Sequence, residues 1–389
     1  MDGTADGYEF AALLRQTCAS LSSGFLLSRR YLGTSEFEHG AAERIGVLLV
    51  NLGTPDSPEP ADVRRFLAEF LWDPRVIEAP RWLWWLALHG VILRIRPAKS
   101  AHAYSQIWTE SGSPLMVHSR ALTEAIRSRL RALLGDLARV DLAMTYGNPS
   151  IASAMQAMHE ANVRRLLVLP LYPQYSATTT ASVFDRVSNV LQTWRWLPEL
   201  RFVTGYHDEP DYIAATADSI RRHWQTHERG HLLFSFHGIP RRYVLAGDPY
   251  HCYCAKTARL IAEQLGLSED EWSMSYQSQY GREEWLRPYT DELLTRYAKE
   301  GRTSVTVACP GFATDCLETL EEIALRNRDT FLANGGRSYS YVPALNASDA
   351  HVDFLCGLIR RHLQGWPLAA PAPDAAAIKE RARRQGAAR

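Results

Sequence analysis

The feature that most constrains this chain is a unit that returns along it: a short apolar run, a loop of polar, glycine and proline residues, then a helix. Gly46-Val47-Leu48-Leu49-Val50 enters Asn51-Leu52-Gly53-Thr54-Pro55-Asp56, and 60–71 follows with Val63, Phe66, Leu67 and Phe70 at helical spacing. The run 140–144 leads to Tyr146-Gly147-Asn148-Pro149, and 166–169 leads to Pro170-Leu171-Tyr172-Pro173-Gln174-Tyr175. Further on, 232–236 leads to His237-Gly238-Ile239-Pro240, and 304–308 to Cys309-Pro310-Gly311-Phe312. Weaker strands are expected at 201–204, 272–276 and 339–342. Apolar runs without polar alternation belong to strands buried on both faces, and parallel neighbours need crossover helices. The fold class is therefore α/β.

The eight strands form two groups of four, before and after Tyr206. A chain of 389 residues exceeds what one core usually organises. The expected architecture is two doubly wound domains, 44–205 and 206–346, with 347–366 after them. A closed eight-stranded barrel competes, but the uneven strand spacing and the long insert from Trp82 to Ser113 disfavour it. Residues 1–43 show no clear strand period and are set aside as an extension. Residues 367–389, rich in Ala, Pro and Arg, read as a mobile tail.

Lys plus Arg and Asp plus Glu both number 43, so no net field gathers nucleic acid, and no nucleic-acid partner is expected. Hydrophobic residues make up 46% and charged residues 22%, the balance of a folded, water-soluble chain. The six cysteines are sparse and irregular, which fits a reducing cytoplasm. Acidic Asp2, Asp6 and Glu9, with no basic region ahead of an apolar run, do not read as a secretory signal. The longest apolar stretch, Trp82 to Leu93, lies between Arg81 and Arg94 and is too short to span a bilayer. Two readings of it stay open: an ordinary core helix, or a lip that touches a membrane surface.

In open parallel sheets, ligands bind beyond the carboxyl ends of the strands. That rule selects 51–54, Tyr146, 172–175, His237, 277–280 and 312–318, a collection of aromatic loops, a histidine and carboxylates that suits a flat, apolar, metal-binding ligand. His237 directly follows a strand, so its imidazole is available as a base or metal ligand, although a backbone-bonded loop histidine has the same pattern. Asp315, Glu318 and Glu322 are spaced to share one helical face, a row able to pass protons or hold a hydrated cation. Asp315 as N-cap with Glu318 completing a capping box is the structural alternative. Cys252 and Cys254, beside His251, lack the spacing and second pair of a zinc site.

The motifs VNLGTP (50–55), PLYPQYS (170–176), SFHGIP (235–240) with GDPY (247–250), YQSQYG (276–281) and CPGFATDCLETLEE (309–322), taken in this order, resemble the ferrochelatases of bacterial type, from Gly46 to Gln364. The resemblance implies two Rossmann-like, chelatase-like domains around a porphyrin cleft, with the final helix crossing back to the first. It implies catalytic and metal-binding roles for His237 and Glu318, with Glu322 extending the carboxylate row. It places Leu52, Tyr146, Trp285 and Phe312 at the porphyrin, and Arg96 and Ser113 at its propionates. The implied partners are protoporphyrin IX and ferrous iron, both as substrates, with no permanent cofactor. Animal relatives carry an iron-sulfur cluster; here Ala177 replaces one of its cysteines and none follows Cys356, so no cluster is expected. Cys316 stands where some relatives carry histidine. A chelatase for another tetrapyrrole or metal, such as coproporphyrin or a cobalt enzyme for sirohydrochlorin, and a non-catalytic haem carrier are the alternatives.

Overall fold

The computed structural model describes residues 31–34, 37–281, 283–368 and 374–387; most of the expected 1–43 extension lies outside them. Eight strands form two four-stranded parallel sheets. The first has the order β2-β1-β3-β4, with β1 at Arg44–Gly53, β2 at Ala138–Tyr146, β3 at Val163–Pro170 and β4 at Glu199–Phe202. The second repeats it as β6-β5-β7-β8, with β5 at His231–His237, β6 at Trp272–Gln277, β7 at Ser304–Ala308 and β8 at Ser338–Val342. Two separate open sheets exclude the closed barrel. Helices flank both sheets, and Ile45, Val47, Leu48, Leu49 and Val50 of β1 are completely buried, the two-sided burial that the unbroken apolar run implied.

In each sheet the chain reverses its direction of winding between the two central strands, β1 and β3 or β5 and β7. The crevice of a doubly wound sheet opens at that switch point. The loops after β1 and β3 in one sheet, and after β5 and β7 in the other, face each other and are tied together. Asn51, at the end of β1, donates from Nδ2 to Ser119 Oγ at 3.0 Å and to Thr314 Oγ1 at 3.0 Å. Gln174, after β3, donates to Thr257 Oγ1 at 3.0 Å and to the Pro310 carbonyl at 3.2 Å. One continuous core unites Leu49, Leu122, Leu232 and Phe354 from both sheets and their helices. Helix Asp349–His362 belongs to it and is pinned to helix Pro114–Leu134 by Arg129 and Asp353, 2.7 Å apart.

Two expectations change. Helix Arg81–Ala87, the first part of the apolar insert, contains no buried residue, so it is not a core helix. Trp82 and Trp85 are 67% and 51% exposed. The stretch read as a mobile tail holds helix Ala375–Arg384, because an alanine-rich run favours helix and Asp374 caps it by accepting from the Ala377 N–H at 3.0 Å. No helix among the described residues is long and apolar enough to cross a membrane.

Candidate active site

His237 ends β5 and pairs in register with Gln277 at the end of β6. Its Nδ1 lies 2.6 Å from the Gly238 carbonyl. A carbonyl only accepts, so the neutral ring carries its hydrogen on Nδ1 and leaves the Nε2 lone pair for a proton or a metal. The backbone-bonded reading of this histidine is thus seen at Nδ1, which does not occupy Nε2. Gly238 leaves little room here: a Cβ would come within 3.1 Å of both the Gln277 carbonyl and the Trp285 ring. Trp285 stands beside the imidazole with ring centroids 6.4 Å apart.

After β7, the loop through Phe312 opens a helix of unusual width. Residues Glu318–Asn327 follow the π pattern, which normally appears as single turns and often at functional sites. A π turn takes a little more than four residues, so Glu318 and Glu322 stay on one face, while Asp315 lies in the loop before the helix. Tyr339 supports this geometry by donating to the Ile323 carbonyl at 2.8 Å. Gln277 fixes the helix start: its Nε2 donates to the Glu318 carbonyl at 2.8 Å, and its Oε1 accepts from Ser235 Oγ at 2.7 Å. The strand of His237 and the first turn bearing Glu318 thus share one buried amide.

Glu318 lines a cleft together with Leu52, Thr54, Phe66, Phe70, Arg96, Ser100, Tyr104 and Ser113. Burial, and then the Glu318 charge, push the Tyr104 phenol and the Cys316 thiol up. Glu322 lies deeper. Its carboxylate accepts from the Ser278 N–H at 2.9 Å and from the Ser278 hydroxyl, and Ser278 holds a positive φ of 66° to make both bonds. Burial pushes the Glu322 carboxyl up, opposed by the Ser278 bonds and by the charges of Arg326 and His237.

Across the cleft, the Arg96 guanidinium lies 5.3 Å from the Tyr280 ring, and Tyr280 packs edge-on against Trp285 at 4.6 Å. Arg96 is thereby connected through two aromatic rings to His237. Ser113 spends its Oγ lone pair as N-cap of helix Pro114–Leu134, accepting from the Met116 N–H at 3.3 Å. Its hydroxyl hydrogen remains available to a ligand.

The sequence model of the family described as Ferrochelatase matches residues 44–363. The chain belongs to the Ferrochelatase family. It is 53% identical over 349 residues to the Ferrochelatase of Thioalkalivibrio sulfidiphilus, covering 90% of this chain and 95% of that protein. It is 54% identical over 337 residues to the Ferrochelatase of Nitrosococcus oceani, covering 86% and 91%. Among solved structures, SirB from Bacillus subtilis with Fe3+ is similar with a TM-score of 0.50 and 11% identity, over 82% of this chain and 95% of that one. That likeness speaks for the fold alone.

For a member of the Ferrochelatase family, Leu52, Arg96, Ser113 and Glu318 of the expected site residues line this cleft, whereas His237, Glu322, Trp285, Phe312, Tyr146 and Asp315 lie outside its lining. Tyr146 does not line the cleft. It is buried behind Phe70, at 5.1 Å, with its hydroxyl donating to Asp73 Oδ2 at 2.9 Å and Arg186 over its ring. Asp315 leaves the carboxylate row and is not a capping box partner of Glu318. Its oxygens accept from Thr319 Oγ1 at 2.9 Å, Tyr341 OH at 2.6 Å and Asn346 Nδ2 at 2.7 Å, which anchors the loop to β8. Phe312 packs among Leu52, Leu115, Met116 and Met144. The family motifs did not point to Ser100 or Tyr104. Their signal was the four-residue spacing Arg96, Ser100, Tyr104 on helix Leu93–Ser105, which puts all three on the cleft face. Among the described residues no three His, Cys, Asp or Glu side chains converge as a preformed metal site.

Proposed function

We propose that this ferrochelatase-family enzyme inserts ferrous iron into protoporphyrin IX, giving protohaem and two protons, the last step of haem synthesis. The observation that carries the reading is the free Nε2 of His237 at the same switch point as the Glu318 and Glu322 row. Insertion replaces two pyrrole protons by a dication, so it needs a base near the ring centre and a route outward. His237 Nε2 takes a pyrrole proton or holds the iron, and Glu318 and Glu322 receive the protons. Nitrogen and oxygen donors suit ferrous iron while holding it loosely enough for release. Leu52, Phe66 and Phe70 supply an apolar wall for the macrocycle, and Arg96 and the Ser113 hydroxyl suit its propionates.

The lip supports a peripheral position at the cytoplasmic face of a membrane. Trp82 and Trp85, between Arg81 and Arg94, and Ile95, between Arg94 and Arg96, are exposed, a pattern that suits an anionic lipid surface. The same helix Leu93–Ser105 turns Ile95, 70% exposed, outward and Arg96 into the cleft, so a lipid-soluble porphyrin enters beside the bilayer. No permanent cofactor is needed, and with Ala177 in place of a cluster cysteine we propose no iron-sulfur cluster.

The test is anaerobic incubation of the purified chain with protoporphyrin IX and ferrous iron. Loss of porphyrin fluorescence with appearance of haem absorption is expected. Binding without turnover identifies a carrier, and turnover only with coproporphyrin or sirohydrochlorin identifies another chelatase.

A further inference from the structure

The carboxylate row continues beyond Glu322 to Arg326, four residues on and again on the same face of the π-helix. The Arg326 side chain is 58% exposed, whereas those of Glu321 and Glu322 are 14% and 13% exposed. Its guanidinium is therefore the outermost member of the cluster. It donates from Nε and Nη2 to the two Glu321 oxygens at 3.3 and 3.2 Å, and Nη2 lies 3.8 Å from Glu322 Oε1. On the inner side Glu322 faces Ser278 and His237. Asp291, from helix Thr290–Lys299, faces the guanidinium.

Resting on the function proposed above, we propose that Arg326 closes the outer end of this row to divalent cations, so that the row passes protons only and iron reaches His237 from the cleft. A guanidinium offers five donors and no lone pair, and it stays charged at every physiological pH, so it cannot ligate a cation and repels one. A carboxylate site for a hydrated dication needs several free oxygens, and three of the four oxygens of Glu321 and Glu322 that approach the surface here are already donated to by Arg326 or lie beside it. A proton is not barred in this way. The Ser278 hydroxyl and the Glu322 carboxylate form a donor and acceptor pair along which a proton transfers without any heavy atom passing the guanidinium.

The experiment is calorimetric titration of the full, porphyrin-free chain with Co2+. The wild type and R326K are expected to show no binding that depends on Glu322. R326E is expected to gain a cation site at least about tenfold tighter than any in the wild type, and R326Q a weaker one, both lost when Glu322→Gln is added. R326Q removes the charge without adding a ligand, so the conclusion does not depend on R326E folding. Glu322-dependent Co2+ binding in the wild type, unchanged in R326Q and R326E, overturns the proposal. Because no porphyrin and no turnover enter this titration, its failure is distinct from a failure to insert iron.

Discussion

His237 and Gln277 face each other across the β5–β6 pairing, and the Gln277 side chain passes on from there to the Glu318 carbonyl. The base and the acidic helix of the site are held in register by one amide rather than by contact with each other. Gln277→Ala removes the donor to the partly buried Glu318 carbonyl and the acceptor of the buried Ser235, which keeps Thr290 at 2.9 Å. A stability loss of about 1–3 kcal/mol is expected from the two bonds lost, seen as a lower urea midpoint. Turnover should fall while the Km for porphyrin changes little, since Gln277 does not line the cleft. Unchanged turnover in a folded variant would remove Gln277 from this role.

Glu322 carries a pH signature. Burial holds its folded value above the ordinary 4.5, so the folded chain binds this proton more tightly than the unfolded one. The stabilisation from it is full below the unfolded value and is lost as pH rises through the folded value. Glu322→Gln should therefore gain stability relative to the wild type as pH rises above the ordinary 4.5 of an unfolded glutamate. Ser278→Ala, which removes a bond that lowers the Glu322 value, should extend the wild type's loss to higher pH. Urea midpoints measured across that range check both; a flat difference contradicts the assignment.

Tyr146 separates packing from catalysis. Tyr146→Phe loses the hydroxyl bond to Asp73 and should cost about 1–3 kcal/mol of stability, as bonds to charged groups do. Its turnover should stay near that of the wild type, because the ring lies behind Phe70. A large fall in turnover with stability intact would return Tyr146 to the porphyrin site.

The lip gives the opposite pattern. Trp82→Ser with Trp85→Ser should leave thermal stability within about 0.5 kcal/mol, because both rings are mostly in water. Co-sedimentation with vesicles containing anionic lipid should drop sharply. Equal sedimentation of the two proteins would end the membrane reading.

How much of this was legible in the sequence depends on which interactions decide each feature. The strands were legible because unbroken apolar runs such as 46–50 have few alternatives in a buried sheet, and the strand-end rule then located His237 and the 312–318 loop. Asp315 was misplaced because the row assumed it was already helical, whereas the helix begins after it and Tyr341 and Asn346, from later elements, hold its carboxylate in the loop. Tyr146 sits at a strand end as expected, but its direction is set by Asp73 and Arg186, far away in the chain. The lip stayed ambiguous because tryptophans between arginines have the same composition buried or exposed; only the missing neighbours in the fold decide it.

The central claim is that His237 acts at the ring centre with Glu318 and Glu322 as its acidic partners. The most direct measurement is anaerobic ferrous insertion by His237→Ala beside the wild type, with porphyrin binding followed separately by fluorescence. The account predicts retained porphyrin binding with turnover reduced by about two or more orders of magnitude, the usual contribution of a positioned base. Full turnover by the folded His237→Ala variant would contradict it.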